Sequence, residues 1–141
     1  VPCPSCGALT TADLALGAPA CTGCGRPVLT DRPVVLGDDT YERVLEDAAL
    51  PVLVDFHADW CGPCRMMAPL FEQIARAYAG HALVAKLDTE RNPLMAARYG
   101  VRSIPTLIAF RNGDEVGRRV GAVPRAQLER LLADAGAAPR I

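Results

Sequence analysis

Two groups of cysteines carry the chemistry this sequence offers. Cys61 and Cys64 lie in Trp60-Cys61-Gly62-Pro63-Cys64, separated by a glycine and a proline. Thiols placed so close together switch between dithiol and disulfide with little backbone movement, and between a strand and a helix such a pair reads as a redox motif. The second group is two knuckles, Cys3-Pro-Ser-Cys6-Gly and Cys21-Thr-Gly-Cys24-Gly, with fourteen residues between Cys6 and Cys21. Each knuckle points two sulfurs the same way, and Gly7 and Gly25 let the backbone turn its N–H groups towards them. Cys3, Cys6, Cys21 and Cys24 therefore suit one structural, tetrahedral Zn2+ per chain. Two disulfides, four free thiols or a rubredoxin-like iron site with four thiolate ligands are the alternatives. Zinc is preferred because the segment holds too little apolar material to fold without a staple.

The elements that must position these sulfurs follow from the pattern along the chain. Residues 1–30 are rich in Cys, Pro, Gly and Thr and read as a small zinc-ribbon domain, and 31–33 as a linker. From residue 34 to 141 strand-like and helix-like stretches alternate, which predicts an α/β domain. Val34-Leu36 is a short strand. Asp39 and Glu42 have the spacing of a capping box that would open a helix to about Ala48. Val52 to His57 is almost continuously apolar, as a strand buried on both faces must be. A helix is expected from Pro63 to Ala79 with a kink at Pro69. Ala82 to Leu87 reads as a strand and Pro93 to Tyr99 as a helix begun by its proline. Thr106 to Phe110, the Asn112-Gly113 turn and Glu115 to Val120 form a hairpin. Pro124 to Ala135 closes the chain with an amphipathic helix. The order is βαβαβαββα.

This arrangement gives the reactive pair its physics. Cys61 falls just before a helix, where free N–H groups and the helix dipole favour a thiolate. It is the expected nucleophile on a target disulfide. Cys64, one turn later and expected to be more buried, would attack Cys61 and release the reduced target. Asp55 ends a buried strand, where desolvation raises a carboxyl pKa. From there it can take the proton of Cys64, directly or through water, as general base.

The run Val54-Asp55-Phe56-His57-Ala58-Asp59-Trp60-Cys61-Gly62-Pro63-Cys64 closely resembles the active-site segment of thioredoxins. Ile104-Pro105-Thr106 resembles that family's cis-proline loop, and Val120-Gly121-Ala122 its later glycine turn. The resemblance covers about residues 34–135. It implies the thioredoxin fold, a mixed central sheet flanked by helices, and protein disulfide reduction by dithiol–disulfide exchange. It assigns the base role to Asp55 and turns Pro105 towards the dithiol, with the Ile104 backbone exposed to an extended peptide. Trp60, Gly62, Pro63 and Gly121 complete the redox motif and its substrate rim. Lys86 matches a lysine close to the buried acid, though it could equally be a strand residue with its ammonium in water. His57 stands where thioredoxins commonly carry Trp. It is either a packed ring or an imidazolium that tunes Cys61. The resemblance also implies electrons from NADPH through thioredoxin reductase, with no cofactor held for catalysis. The uncharged Gly-Pro centre, which does not over-stabilise a thiolate, points to a reductant rather than an oxidant. A zinc ribbon in front of such a domain is similar to bacterial thioredoxin 2, the zinc-containing type.

Composition bounds the partners. The formal net charge is −1, and the only charges of the ribbon and linker are Asp13, Arg26, Asp31 and Arg32, which leaves no basic footprint for nucleic acid. No apolar run approaches a membrane span and the first residues do not read as a signal peptide. The expectation is a cytoplasmic monomer acting on disulfide-containing target proteins. One rival is a redox-sensing zinc-binding interaction module without turnover. Another is a metal carrier using Cys61 and Cys64 as ligands.

Overall fold

The computed structural model describes residues 33–139 except residue 49. Nine elements run in the expected order: β1 (Val34–Val35), α1 (Tyr41–Asp47), β2 (Val52–His57), α2 (Gly62–Ala77), β3 (Leu83–Asp88), α3 (Pro93–Arg98), β4 (Thr106–Arg111), β5 (Asp114–Val120) and α4 (Arg125–Asp134). The strands form one sheet in the order β1-β3-β2-β4-β5. β3 is parallel to β1 and β2, whereas β4 is antiparallel to both β2 and β5. The mixed sheet and the order of elements agree with the sequence.

Two cores sandwich the sheet. Val52, Val54 and Phe56 of β2 join Tyr41, Val44 and Leu45 of α1 and Met95 of α3 on one face. Leu53 points the other way, towards Met67, Phe71 and Ile74 of α2 and Leu128, Leu131 and Leu132 of α4. β2 is thus covered on both faces, which is why its sequence is a continuous apolar run rather than an alternating one. Each such large side chain, fully buried, contributes about 1.5–3 kcal/mol. The spacing of Cys64, Met67, Phe71, Ile74 and Ala75 keeps one stripe of α2 against the sheet.

Alternation along β2 now matters for function. Asp55 and His57 share the face of Leu53 and point under α2. Across the strand pair, Asp55 is in register with Lys86 and His57 with Asp88. The apolar core therefore gives way to a polar patch at the C-terminal ends of β2 and β3, beside the start of α2.

Two local expectations meet opposite outcomes. The β4–β5 loop forms as expected: Asn112 and Gly113 both take positive φ, 53° and 83°, the backbone a two-residue hairpin turn requires. The Asp39/Glu42 capping box does not form, because α1 starts at Tyr41 after Thr40, which makes no side-chain cap bond. Thr40 instead accepts from the Gly37 N–H at 3.0 Å. The neighbouring carboxylate, Asp38, accepts from the N–H groups of Leu94 (3.1 Å) and Met95 (2.9 Å), tying the start of α3 to the β1–α1 loop. Glu42 of the expected box is turned to Arg98, 56 residues away, whose guanidinium donates to it at 2.7 Å.

Candidate functional site

Cys61 and Cys64 are joined as a disulfide across the first turn of α2, with Cα atoms 5.2 Å apart. Cys61 is the N-cap, and its sulfur accepts from the Cys64 N–H at 3.2 Å. The spacing of two residues is what lets a helix start join both sulfurs. Pro63 lies within the first two helical positions, where it gives up no hydrogen bond. An N–H aimed at Cys61 sulfur at a helix N-terminus stabilises a thiolate there once the disulfide opens.

Cys61 faces the β4 side of the molecule. Its sulfur lies 3.9 Å from the Ile104 carbonyl oxygen, in the loop whose Ile104–Pro105 bond is cis. The Pro105 carbonyl accepts from the Gly121 N–H at 2.7 Å, so the loop before β4 and the turn after β5 are held edge to edge. Gly121 has φ 89°, a conformation that favours glycine. Trp60, beside Cys61, is 63% exposed and so is not part of the core. Its indole N–H donates to Glu90 of the β3–α3 loop, which fixes the ring's edge. Around them Asp59 pairs with Arg91 at 3.8 Å and its carbonyl accepts from Arg65 Nε at 2.8 Å. Sequence reasoning did not find Glu90, and no periodicity could have revealed a partner thirty residues from Trp60.

Cys64 faces the other way. It lines a cavity of about 430 Å³ under α2, together with Pro33, Asp55, His57, Ala58, Asp59, Arg65, Ala68, Phe71, Glu72 and Lys86. Cys61 is not part of that lining. Both cysteines are 4% exposed, so greater burial of Cys64, expected from its helical position, is not what separates them. What separates them is what each sulfur faces.

Asp55 is the buried acid of this cavity, 5% exposed, and its Oδ1 has no hydrogen-bond partner among the described residues. Burial pushes its pKa up from 3.8 to about 7, with Lys86 pulling it down. Loss of hydration dominates because an ionised carboxylate in this apolar setting gives up its water shell for a single nearby cation. Lys86 is itself exposed, in register with Asp55 and on the same cavity. His57 is half-buried. Burial holds its pKa below the ordinary 6.5 against the pull of Asp88 and Asp59, and Lys86 adds to the lowering.

The structure thus brings together Cys61, Cys64, Trp60, Gly62, Pro63, Ile104, Pro105 and Gly121 around the dithiol, with Asp55, His57 and Lys86 behind it. Cys3, Cys6, Cys21 and Cys24, the 1–30 ribbon and all of the 31–33 linker but Pro33 lie outside the described residues.

Comparison with known proteins agrees with this geometry. Residues 32–134 match the family model described as Thioredoxin. The chain is 50% identical over 95 residues to Thioredoxin 1 of Nostoc sp., covering 67% of this chain and 89% of that protein. It is 46% identical over 103 residues to the thioredoxin of Allochromatium vinosum, covering 73% of this chain and 96% of that one. Among solved structures, a single-substitution mutant of a thioredoxin from Halobacterium salinarum superposes with a TM-score of 0.70 at 37% identity, over 77% of this chain and 95% of that chain.

Proposed function

This chain belongs to the thioredoxin family and is a protein-disulfide oxidoreductase, and from that premise we propose the division of labour in its cycle. The Cys61 thiolate attacks one sulfur of a target disulfide. A Cys61–target bond forms, and the target's other sulfur leaves with the electron pair. Asp55 then takes the Cys64 proton, and the Cys64 thiolate attacks Cys61. The Cys61–Cys64 bond forms as the second target thiolate leaves, so the target gains two electrons and the protein loses them. The observation that carries the reading is the Cys61–Cys64 pair at the head of α2, with a buried acid of raised pKa behind it.

Trp60, Pro63, Ile104, Pro105 and Gly121 supply the docking rim. The Ile104 main chain reads an extended peptide by strand addition, which recognises backbone rather than side chains and suits many protein targets. His57 and Lys86 tune the buried groups. Thioredoxin reductase returns electrons from NADPH, and no cofactor is held for catalysis. A monomer in the cytoplasm fits this role, since a reducing compartment keeps the dithiol available.

The finer type we propose is the zinc-containing thioredoxin 2, with a ribbon over 1–30, a linker over 31–33 and the catalytic domain over 34–141. Support comes from the donor set: Cys3, Cys6, Cys21 and Cys24 supply four thiolates in paired knuckles, which suit Zn2+ held for structure rather than for the reaction. Insulin reduction coupled to NADPH and thioredoxin reductase, together with metal analysis, tests both parts. Turnover that vanishes in Cys61→Ser and one zinc per chain that is lost in Cys3→Ser are expected. Turnover surviving in Cys61→Ser defeats the cycle, and a wild-type chain purified without metal defeats the ribbon.

A further inference from the structure

The cavity behind Cys64 does more than bury Asp55. A carboxyl that accepts the Cys64 proton must give it up before the next cycle, and Asp55 is only 5% exposed, with Oδ1 unpartnered among the described residues. The cavity, at about 430 Å³, has room for several waters. Among its lining, His57 combines a place on the same strand face as Asp55 with a half-buried ring that is part cavity wall and part surface. Two residues along a strand is about 6.6 Å, too far for direct transfer between backbone positions but short for one bridging water.

We propose that His57 is the proton port of the resolving step, carrying the proton that Asp55 takes from Cys64 through a cavity water to bulk solvent. The inference rests on Asp55 acting as the base. In the step, Asp55 Oδ–H gives its proton to a cavity water as that water protonates a neutral imidazole nitrogen, and the imidazolium releases a proton outside. No electrons move and Asp55 returns to carboxylate. A neutral ring is the form that accepts, and burial favours it near pH 7. The charged groups facing the ring come from every packed element: Asp55 and Asp59 from β2 and the loop after it, Lys86 and Asp88 from β3, and Arg65 and Glu72 from α2. Acids and bases are both present, so the ring is not locked in either state. His57 lies on Cys64's cavity rather than on Cys61's side, which moves its influence from the attacking sulfur to the resolving one.

Rapid-quench mass spectrometry of the Cys61–insulin mixed disulfide, using the full chain, reads the resolving step alone. His57→Ala is expected to lengthen the life of that adduct about tenfold near pH 7, below the usual worth of a general base because water keeps a slower route open. Added imidazole, small enough for the vacated space, should restore the rate with saturation. His57→Gln preserves a polar side chain of similar reach without a transferable proton and should be equally slow, which separates proton transport from packing. Adduct decay within twofold of wild type in both variants overturns the proposal. So does slow decay in His57→Ala that imidazole leaves unchanged. Asp55→Asn run alongside tells the two readings apart: if it is slow while the His57 variants are fast, the port falls and the base stands. If Asp55→Asn is itself fast, the base assignment falls, and the port with it.

Discussion

Cys61 and Cys64 stand three residues apart, equally buried, at the head of one helix, yet the groups around them differ in kind. In front of Cys61 are main-chain groups and a flat apolar surface: the Ile104 carbonyl, the Pro105–Gly121 hydrogen bond and the exposed Trp60. Behind Cys64 are titratable groups around a cavity: Asp55, Lys86, His57 and Glu72. In the proposed cycle the front holds a peptide and the rear moves protons. The difference teaches that two thiols of one motif take separate roles from their neighbours rather than from their own accessibility.

The rear half breaks first if its acid is removed. In the oxidised protein Asp55 has a folded pKa of about 7 against an ordinary 3.8. Between those values the native state holds a proton that the unfolded chain has lost, so stability falls as pH rises from about 4 to about 7. The loss is about 4 kcal/mol. Asp55→Asn should lack that loss, so chemical denaturation at pH 8 should find the variant gaining on wild type by about that amount relative to pH 4. Parallel stability curves for the two proteins would mean that Asp55 is not buried as a neutral acid.

The front half is probed at its rim. Trp60→Ala removes exposed surface and the indole hydrogen bond to Glu90. Losing a contact anchor worth about 1–2 kcal/mol should lower kcat/KM for a protein disulfide roughly five- to thirtyfold. Reduction of a small linear disulfide such as 2-hydroxyethyl disulfide should change far less. Equal losses on both substrates would place Trp60 in the chemistry rather than the docking.

The smallest effect sharpens the boundary between site and scaffold. Asp38→Ala unties the N–H groups of Leu94 and Met95 from the β1–α1 loop. About 0.5–2 kcal/mol of stability should be lost in urea denaturation, with insulin turnover per folded molecule unchanged. A matching fall in turnover would show that the α3 end of the fold also supports the dithiol.

Much of this was legible in the residues because local pattern and tertiary demand agree. β2 reads as buried on both faces because both faces are covered, and an acid inside its apolar run stands out as Asp55 does. Asn112-Gly113 names its own turn. The failures share one cause. Asp38, Glu90 and Asn92 act across the chain: the Asp38 N–H donates to Asn92 Oδ1 at 3.0 Å, and Glu90 accepts from Trp60. Of the expected capping box, Glu42 pairs instead with the distant Arg98 at 2.7 Å. The cavity shared by Cys64, His57 and Glu72 was equally hidden, since only the packing of α2 over β2 and β3 creates it.

The sulfur that meets the target is the direct test of the front-and-rear account. Cys61→Ser and Cys64→Ser, each mixed with oxidised insulin, should be resolved by mass spectrometry with peptide mapping of any covalent adduct. The account predicts a long-lived adduct on Cys61 in Cys64→Ser and none on Cys64 in Cys61→Ser. An adduct forming as readily on Cys64 would contradict it.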